Sequence, residues 1–268
     1  MLNPRVSIVI ALVFMAAACD EPRHRGRTLS AWMNDLEADD DYKRKTACEA
    51  LGEMGATAEK AIPNLIAMLE DVNEGIQDFA ATSLAKIGEK SVPELEKVLQ
   101  RDEPLLRLHA ATALLEINPE HVGAASALVK QVTGIGNAEL AKRARDVLLK
   151  RGESAAVWIA PYLKDPYAPV RIEVLKTLGK LEGKATAVLP QIKSAIDDAE
   201  LRVREEAIQT LALVGTREEV EPVLRTLLEN ENEDIATAAA LMMKHIGAYQ
   251  SASGYEGEEE EEAPAKKK

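Results

Sequence analysis

The sequence predicts an all-α fold, an α-solenoid of about seven stacked helical hairpins. Three observations predict it. A motif of small and apolar residues recurs along the chain at a nearly constant period. Aromatic residues make up 3% of a chain that is 46% hydrophobic, so its core must be built from Leu, Ile, Val and Ala, which suits helices packed closely together. Pro, and Gly or Asn, punctuate the motif where helices are expected to begin and end.

The chain opens on residues 1–5, which carry one positive charge, followed by the apolar run 6–18. Thirteen helical residues rise about 20 Å, short of the roughly 30 Å hydrocarbon core, so residues 1–18 read as a signal peptide rather than a membrane span. The run ends in Ala16-Ala17-Ala18-Cys19 and resembles the lipobox of bacterial lipoproteins. That resemblance implies cleavage before Cys19 and acylation of its thiol and new amino group. The alternative is ordinary secretory cleavage at an A-x-A site, which leaves Cys19 unmodified. Residues 19–28 are expected to be the lipidated Cys and a linker. Its Arg23, His24, Arg25 and Arg27 either lie beside anionic headgroups or are simply solvated. The only other cysteine, Cys48, falls on an apolar helical pattern, where a buried thiol is expected.

The repeat body spans residues 29–247. Residues 29–36 supply an opening helix capped by Thr28 or Ser30, with Trp32 covering the end of the stack. The motif then reads Ala47-x-x-Ala50-Leu51-x-x-Met54-Gly55 and Ala80-x-x-Ser83-Leu84-x-x-Ile87-Gly88. It continues as Ala110-x-x-Ala113-Leu114-x-x-Ile117-Asn118, with a weaker copy at Ala144, Leu148 and Gly152. Anchors at Leu178, Leu211 and Met243 complete the series, and successive anchors lie 30 to 34 residues apart. Offsets of three and four place these residues on one face of a helix, where small side chains let a neighbour approach and the terminal Gly or Asn ends the helix in a left-handed conformation. Before each such helix lies a second apolar helix, usually opened by Pro: Pro63, Pro93, Pro161, Pro190 and Pro222. One hairpin cannot bury its own apolar face; a stack can.

The array is similar to short HEAT repeats of the bilin-lyase type. The phrase Asp165-Pro-x-x-x-Val-Arg171 is the family's most typical turn. Asp198 and Arg204 repeat its six-residue offset, as do Asp71 and Gln77, while Arg44 and Arg107 stand at the corresponding Arg position. The resemblance implies that Arg44, Arg107, Asp165, Arg171, Asp198 and Arg204 form a structural ladder between repeats. It also implies that the second helix of each hairpin lines a concave side. On that side the outward positions include Lys86, Lys142, Lys150, Lys176, Lys180 and Glu205, a groove for an extended peptide or another protein's acidic face. Beyond residue 248 the motif stops, and the acidic run followed by three Lys is expected to be a disordered tail.

A net charge of −12, from 45 acidic and 33 basic residues, weighs against a nucleic-acid binder, which needs a positive surface to displace counterions. His24, His109, His121 and His245 form no metal-ligand spacing, no His is followed by Glu, and no phosphate loop is present. The chain is therefore expected to have no catalytic constellation, cofactor, metal or small-molecule substrate, and not to be an enzyme. The function expected is a scaffold tethered to a membrane of the bacterial cell envelope, binding a protein through the concave face. The alternatives are a bilin-lyase-like lyase or chaperone that handles a cofactor for a client, or a purely structural envelope component. Replacing Cys19 with Ser should abolish acylation and move the chain from the membrane to the soluble fraction; retention of that variant on membranes would refute the anchor.

Overall fold

A computed structural model describes residues 21–134 and 137–252; the signal segment, Cys19 and the acidic run lie outside them. The described residues form an all-α repeat fold of paired helices, with one two-stranded ladder at the start. The chain divides into two compact units, Met1–Arg151 and Gly152–Lys268.

The first unit begins where a linker was expected. Strands β1 (Arg23–His24) and β2 (Arg27–Thr28) pair antiparallel around Arg25 and Gly26, both at positive φ. Helix α1 (Leu29–Asp35) follows, and of the two candidate caps Thr28 acts, its hydroxyl accepting from the Ala31 N–H at 3.3 Å. Trp32 is 4% exposed, donates to the His24 carbonyl at 3.1 Å, and carries the Arg27 guanidinium 4.2 Å above its ring. The basic stretch is thereby used inside the chain: Arg27 pairs with Asp35, and His24 and Arg25 with Glu53. Helix α2 (Asp41–Met54) completes the first hairpin. The next three hairpins are α3 (Ile62–Met68) with α4 (Glu74–Ile87), α5 (Val92–Leu99) with α6 (Pro104–Ile117), and α7 (Val122–Thr133) with α8 (Ala138–Arg151).

The second unit repeats the plan. Helix α9 (Glu153–Ile159) precedes α10 (Ala168–Leu181), α11 (Leu189–Ser194) precedes α12 (Leu201–Val214), and α13 (Arg217–Leu227) precedes α14 (Glu233–Ala252). The last helix thus runs past residue 248, where the repeat motif ends. Leu51, Leu84, Leu114, Leu148, Leu178 and Leu211 are each fully buried on the second helix of their hairpins. Full burial of a Leu contributes about 1.5–3 kcal/mol, so these positions hold each hairpin to its neighbours.

Two punctuation rules read from the sequence hold only in part. Pro63, Pro93 and Pro190 are the second residues of α3, α5 and α11, but Pro161 lies in a 3-10 turn after α9, and Pro222 lies inside α13. That helix starts earlier because Glu219 accepts from the Thr216 backbone N–H at 3.0 Å, closing a capping box upstream of the Pro. The residue closing a second helix takes positive φ at Gly55 and Gly88, where the chain must turn at once into a 3-10 segment, whereas Asn118 and Gly215 are extended. There the chain runs on to a side-chain-capped helix and needs no reversal.

Helices α2 and α4 approach closely at Gly52, one residue after an anchor. A Cβ at Gly52 would lie 2.9 Å from the Ser83 Cα, a backbone atom that cannot swing aside. Gly52→Ala is expected to destabilise the protein by about 1–3 kcal/mol; equilibrium urea denaturation checks this, and an unchanged midpoint would show that α2 and α4 can separate without cost.

Candidate functional site

The turn between the two helices of a hairpin is closed by one side chain. Seven residues before the anchor, Arg44, Arg107, Arg171 and Arg204 donate to the carbonyls of Ala38, Arg101, Asp165 and Asp198, at 2.9, 2.6, 2.7 and 2.7 Å. Gln77 does the same with its amide, to the Asp71 carbonyl at 2.5 Å. Each bond spans six residues and satisfies a carbonyl of the turn beyond the first helix, outside that helix's own ladder. At two joints the free edge of the guanidinium then reaches the next hairpin. Arg44 donates to both carboxylate oxygens of Asp71 (2.7 and 3.1 Å), and Arg171 to both of Asp198 (2.8 and 2.7 Å), 27 residues on in each case. Asp198 in turn accepts the Glu200 N–H at 2.9 Å. Burial alone would raise the Asp198 pKa, but the Arg171 and Glu200 hydrogen bonds outweigh it and hold the carboxyl below its ordinary value.

The same two joints carry a second bond that the ladder reading did not include. The Ser83 hydroxyl lies 2.6 Å from the Cys48 carbonyl, and the Thr210 hydroxyl 3.1 Å from the Leu175 carbonyl, each linking second helices over 35 residues. Below them stand Gly52 and Gly179, which leave room for the approach. The sequence signal was a hydroxyl one residue before the anchor and a Gly one residue after the preceding anchor. Of the other ladder residues, Arg107 and Arg204 stop at carbonyls, while Asp165 accepts the Tyr167 N–H at 2.8 Å.

Between α4 and α6 the rung is neutral. Gln77 uses its N–H on the Asp71 carbonyl, so its oxygen accepts from His109 Nε2 at 3.1 Å. His109 is 3% exposed, and burial pushes its pKa down to about 4, the Asp78 carboxylate opposing and Arg143 reinforcing the shift. At neutral pH the ring is uncharged, and its 3.5 Å approach to Asp78 is not an ion pair.

The outward stripe of the second helices separates the charges by role. Lys86 on α4, Lys142 and Lys150 on α8, and Lys176 and Lys180 on α10 are exposed, and none makes a hydrogen bond or ion pair among the described residues. Glu205, on α12, is half-buried; the carboxylate that senses Lys176 is its neighbour Glu206, whose pKa burial raises and Lys176 partly restores. Leu213 and Leu241 lie exposed on the same stripe in the second unit, whereas Leu108, placed on the stripe by its spacing, is 3% exposed in the first. Lys86 lines a cleft of about 380 Å³ between α2 and α4 with Glu49, Glu53, Asp78, Phe79 and Thr82. All three of its acids are already paired: Glu49 with Lys45 at 3.9 Å, Glu53 with His24 and Arg25, and Asp78 with Arg143, which reaches over from α8 at 3.2 Å.

Among the described residues no group of three or more His, Cys, Asp or Glu could hold a metal ion, and no helix is long and apolar enough to cross a membrane. Burial pushes the Cys48 thiol up to about 12, with the Asp71 and Glu49 charges adding to it, so it is not a thiolate nucleophile at neutral pH. The buried His109 has a consequence in acid. An unfolded His takes a proton near its ordinary value of 6.5 while the folded one does so only near 4, so its stabilisation is complete above pH 6.5 and lost as pH falls towards 4. His109→Gln should flatten the stability profile across that window in denaturation at stepped pH; an unchanged slope would show that His109 is not the group responsible.

A family model described as HEAT repeats matches residues 29–116 and 155–244. No curated protein matches the chain. Solved structures similar to it include an engineered protein (18% identity over 82% of this chain and 96% of that one, TM-score 0.31). Another is human deoxyhypusine hydroxylase in complex with glycerol (18% identity, 82% and 84% covered, TM-score 0.39). A third is the complex of the two phycocyanin lyase chains of Nostoc sp. (22% identity, 85% and 98% covered, TM-score 0.37). At these scores they indicate no particular reaction. The expectation that the chain is not an enzyme is corrected on one finding: the similar structures include a hydroxylase and a lyase. With the family model covering both units and the turn bonds recurring through them, the chain belongs to the HEAT-repeat family.

Proposed function

We propose that this HEAT-repeat protein is a scaffold, tethered to a bacterial envelope membrane through Cys19, that binds an acidic protein segment along its second helices. One observation carries the reading. The arginines seven residues before the anchors are engaged in turns and joints, while five lysines on the outward stripe make no hydrogen bond or ion pair among the described residues. Unpaired, exposed lysines on rigid helices lose little order on meeting a carboxylate, and they steer an acidic partner from a distance. In the second unit Lys176 and Lys180 share a stripe with the exposed Leu213 and Leu241, so a partner there meets charge and apolar surface together. The lipid would hold the scaffold at high local concentration beside membrane-bound clients.

The test is in-cell photo-crosslinking from position 176, with Gln191 and Thr226 on the first helices of the same unit as control positions. One dominant envelope protein with an acidic segment, captured from 176 alone and lost on Lys180→Glu, is expected. Equal capture from all three positions, or capture indifferent to Lys180→Glu, would refute the stripe as the binding face.

A further inference from the structure

The Arg–Asp joint is interrupted at Arg107, and the interruption coincides with a cavity. Arg44 and Arg171 each meet a carboxylate 27 residues on. The same step from Arg107 reaches Gly134, and residues 134–137 read Gly-Ile-Gly-Asn, without an acid. Arg107 nevertheless makes the turn bond of its relatives, to the Arg101 carbonyl at 2.6 Å, and its guanidinium forms no ion pair among the described residues, its charge acting on Glu103 only at longer range. It lines a cavity of about 950 Å³ in the first unit, together with Arg101, Lys130, Gln131 and Arg143.

The cations there differ in what they already hold. Arg101 is paired with Glu70 and Glu103, and Arg143 with Glu74 and Asp78. Lys130 on α7 is exposed and, like Arg107, forms no ion pair among the described residues. Of the acids lining the cavity, Glu74 is held by Arg143, while Asp102 and Glu139 are exposed, where water and salt weaken their repulsion.

We propose that the Arg107–Lys130 cavity is a carboxylate-binding site that takes an Asp or Glu side chain of an acidic peptide from another protein. Its model is within the same chain: the guanidinium edge that Asp71 and Asp198 occupy at the other joints is left for a carboxylate supplied from outside. Charge-assisted, two-pronged bonds of that kind favour a planar carboxylate. The site is separate from the outward lysine stripe, so failure of one leaves the other standing.

The chain also shows how to test it without disturbing the fold, because Gln77 closes its own turn in the place of an Arg. Arg107→Gln should therefore keep the turn bond and lose only the free edge. The full chain is titrated with a hexaglutamate peptide at low salt, and the titration is repeated in a background where residues 258–262 are Gln, so that the chain's own acidic run does not compete. Native protein should bind, Arg107→Gln and Lys130→Gln should each weaken binding about tenfold or more, and Lys184→Gln, in the second unit, should leave it unchanged. Native-like binding by both Arg107→Gln and Lys130→Gln, or no binding by the native chain in either background, would overturn the proposal.

Discussion

The bond from a side chain seven residues before five of the seven anchors to the carbonyl six residues upstream is the constraint on which the array depends. It closes the corner between the helices of a hairpin, and it does so at Arg44, Gln77, Arg107, Arg171 and Arg204 with one geometry. A carbonyl of that turn would otherwise need water or another donor. By satisfying it from the following helix, the chain makes the angle between the two helices a property of the sequence rather than of the stack. The guanidinium has donors left over, and those donors join one hairpin to the next wherever an Asp stands 27 residues on.

Each unit contains one joint of the full kind. Around α2 and α4, and again around α10 and α12, a bidentate Arg–Asp pair, a hydroxyl donating to a main-chain carbonyl and a Gly at the contact occur together. Removing the Cβ lets the helices approach, the approach brings the hydroxyl to the carbonyl, and the largely buried ion pair holds the register. The joint between α4 and α6 uses a neutral Gln–His pair instead, which makes that joint sensitive to acid. Stability is therefore distributed unevenly along the array, as expected when each repeat touches only its neighbours.

Much of this was legible in the primary sequence. The anchors, their spacing and the small residues around them identified the second helices, because a period near 3.6 residues leaves its mark on any helix with one buried face. The Asp and Arg offsets pointed to the ladder. What periodicity could not reveal was which rungs are made: Arg107 and Arg204 carry the motif residue yet stop at carbonyls. The basic stretch before residue 29 read as a linker because charge alone does not say whether it faces water or a neighbour. Trp32, Asp35 and Glu53 supplied the neighbours. Leu108 shares the helical phase of the outward lysines yet is buried, since helical phase defines a face but not what packs on it.

By itself, then, the sequence determined the all-α repeat class, the positions of the buried anchors and the turn residues, because each follows from spacing within one hairpin. Tertiary structure decided the partners: Ser83 with Cys48, Arg143 with Glu74 and Asp78, and Gln77 with His109. These contacts join residues about 30 to 70 positions apart, and their existence turns on sub-ångström differences in how closely two helices approach, which local pattern does not encode.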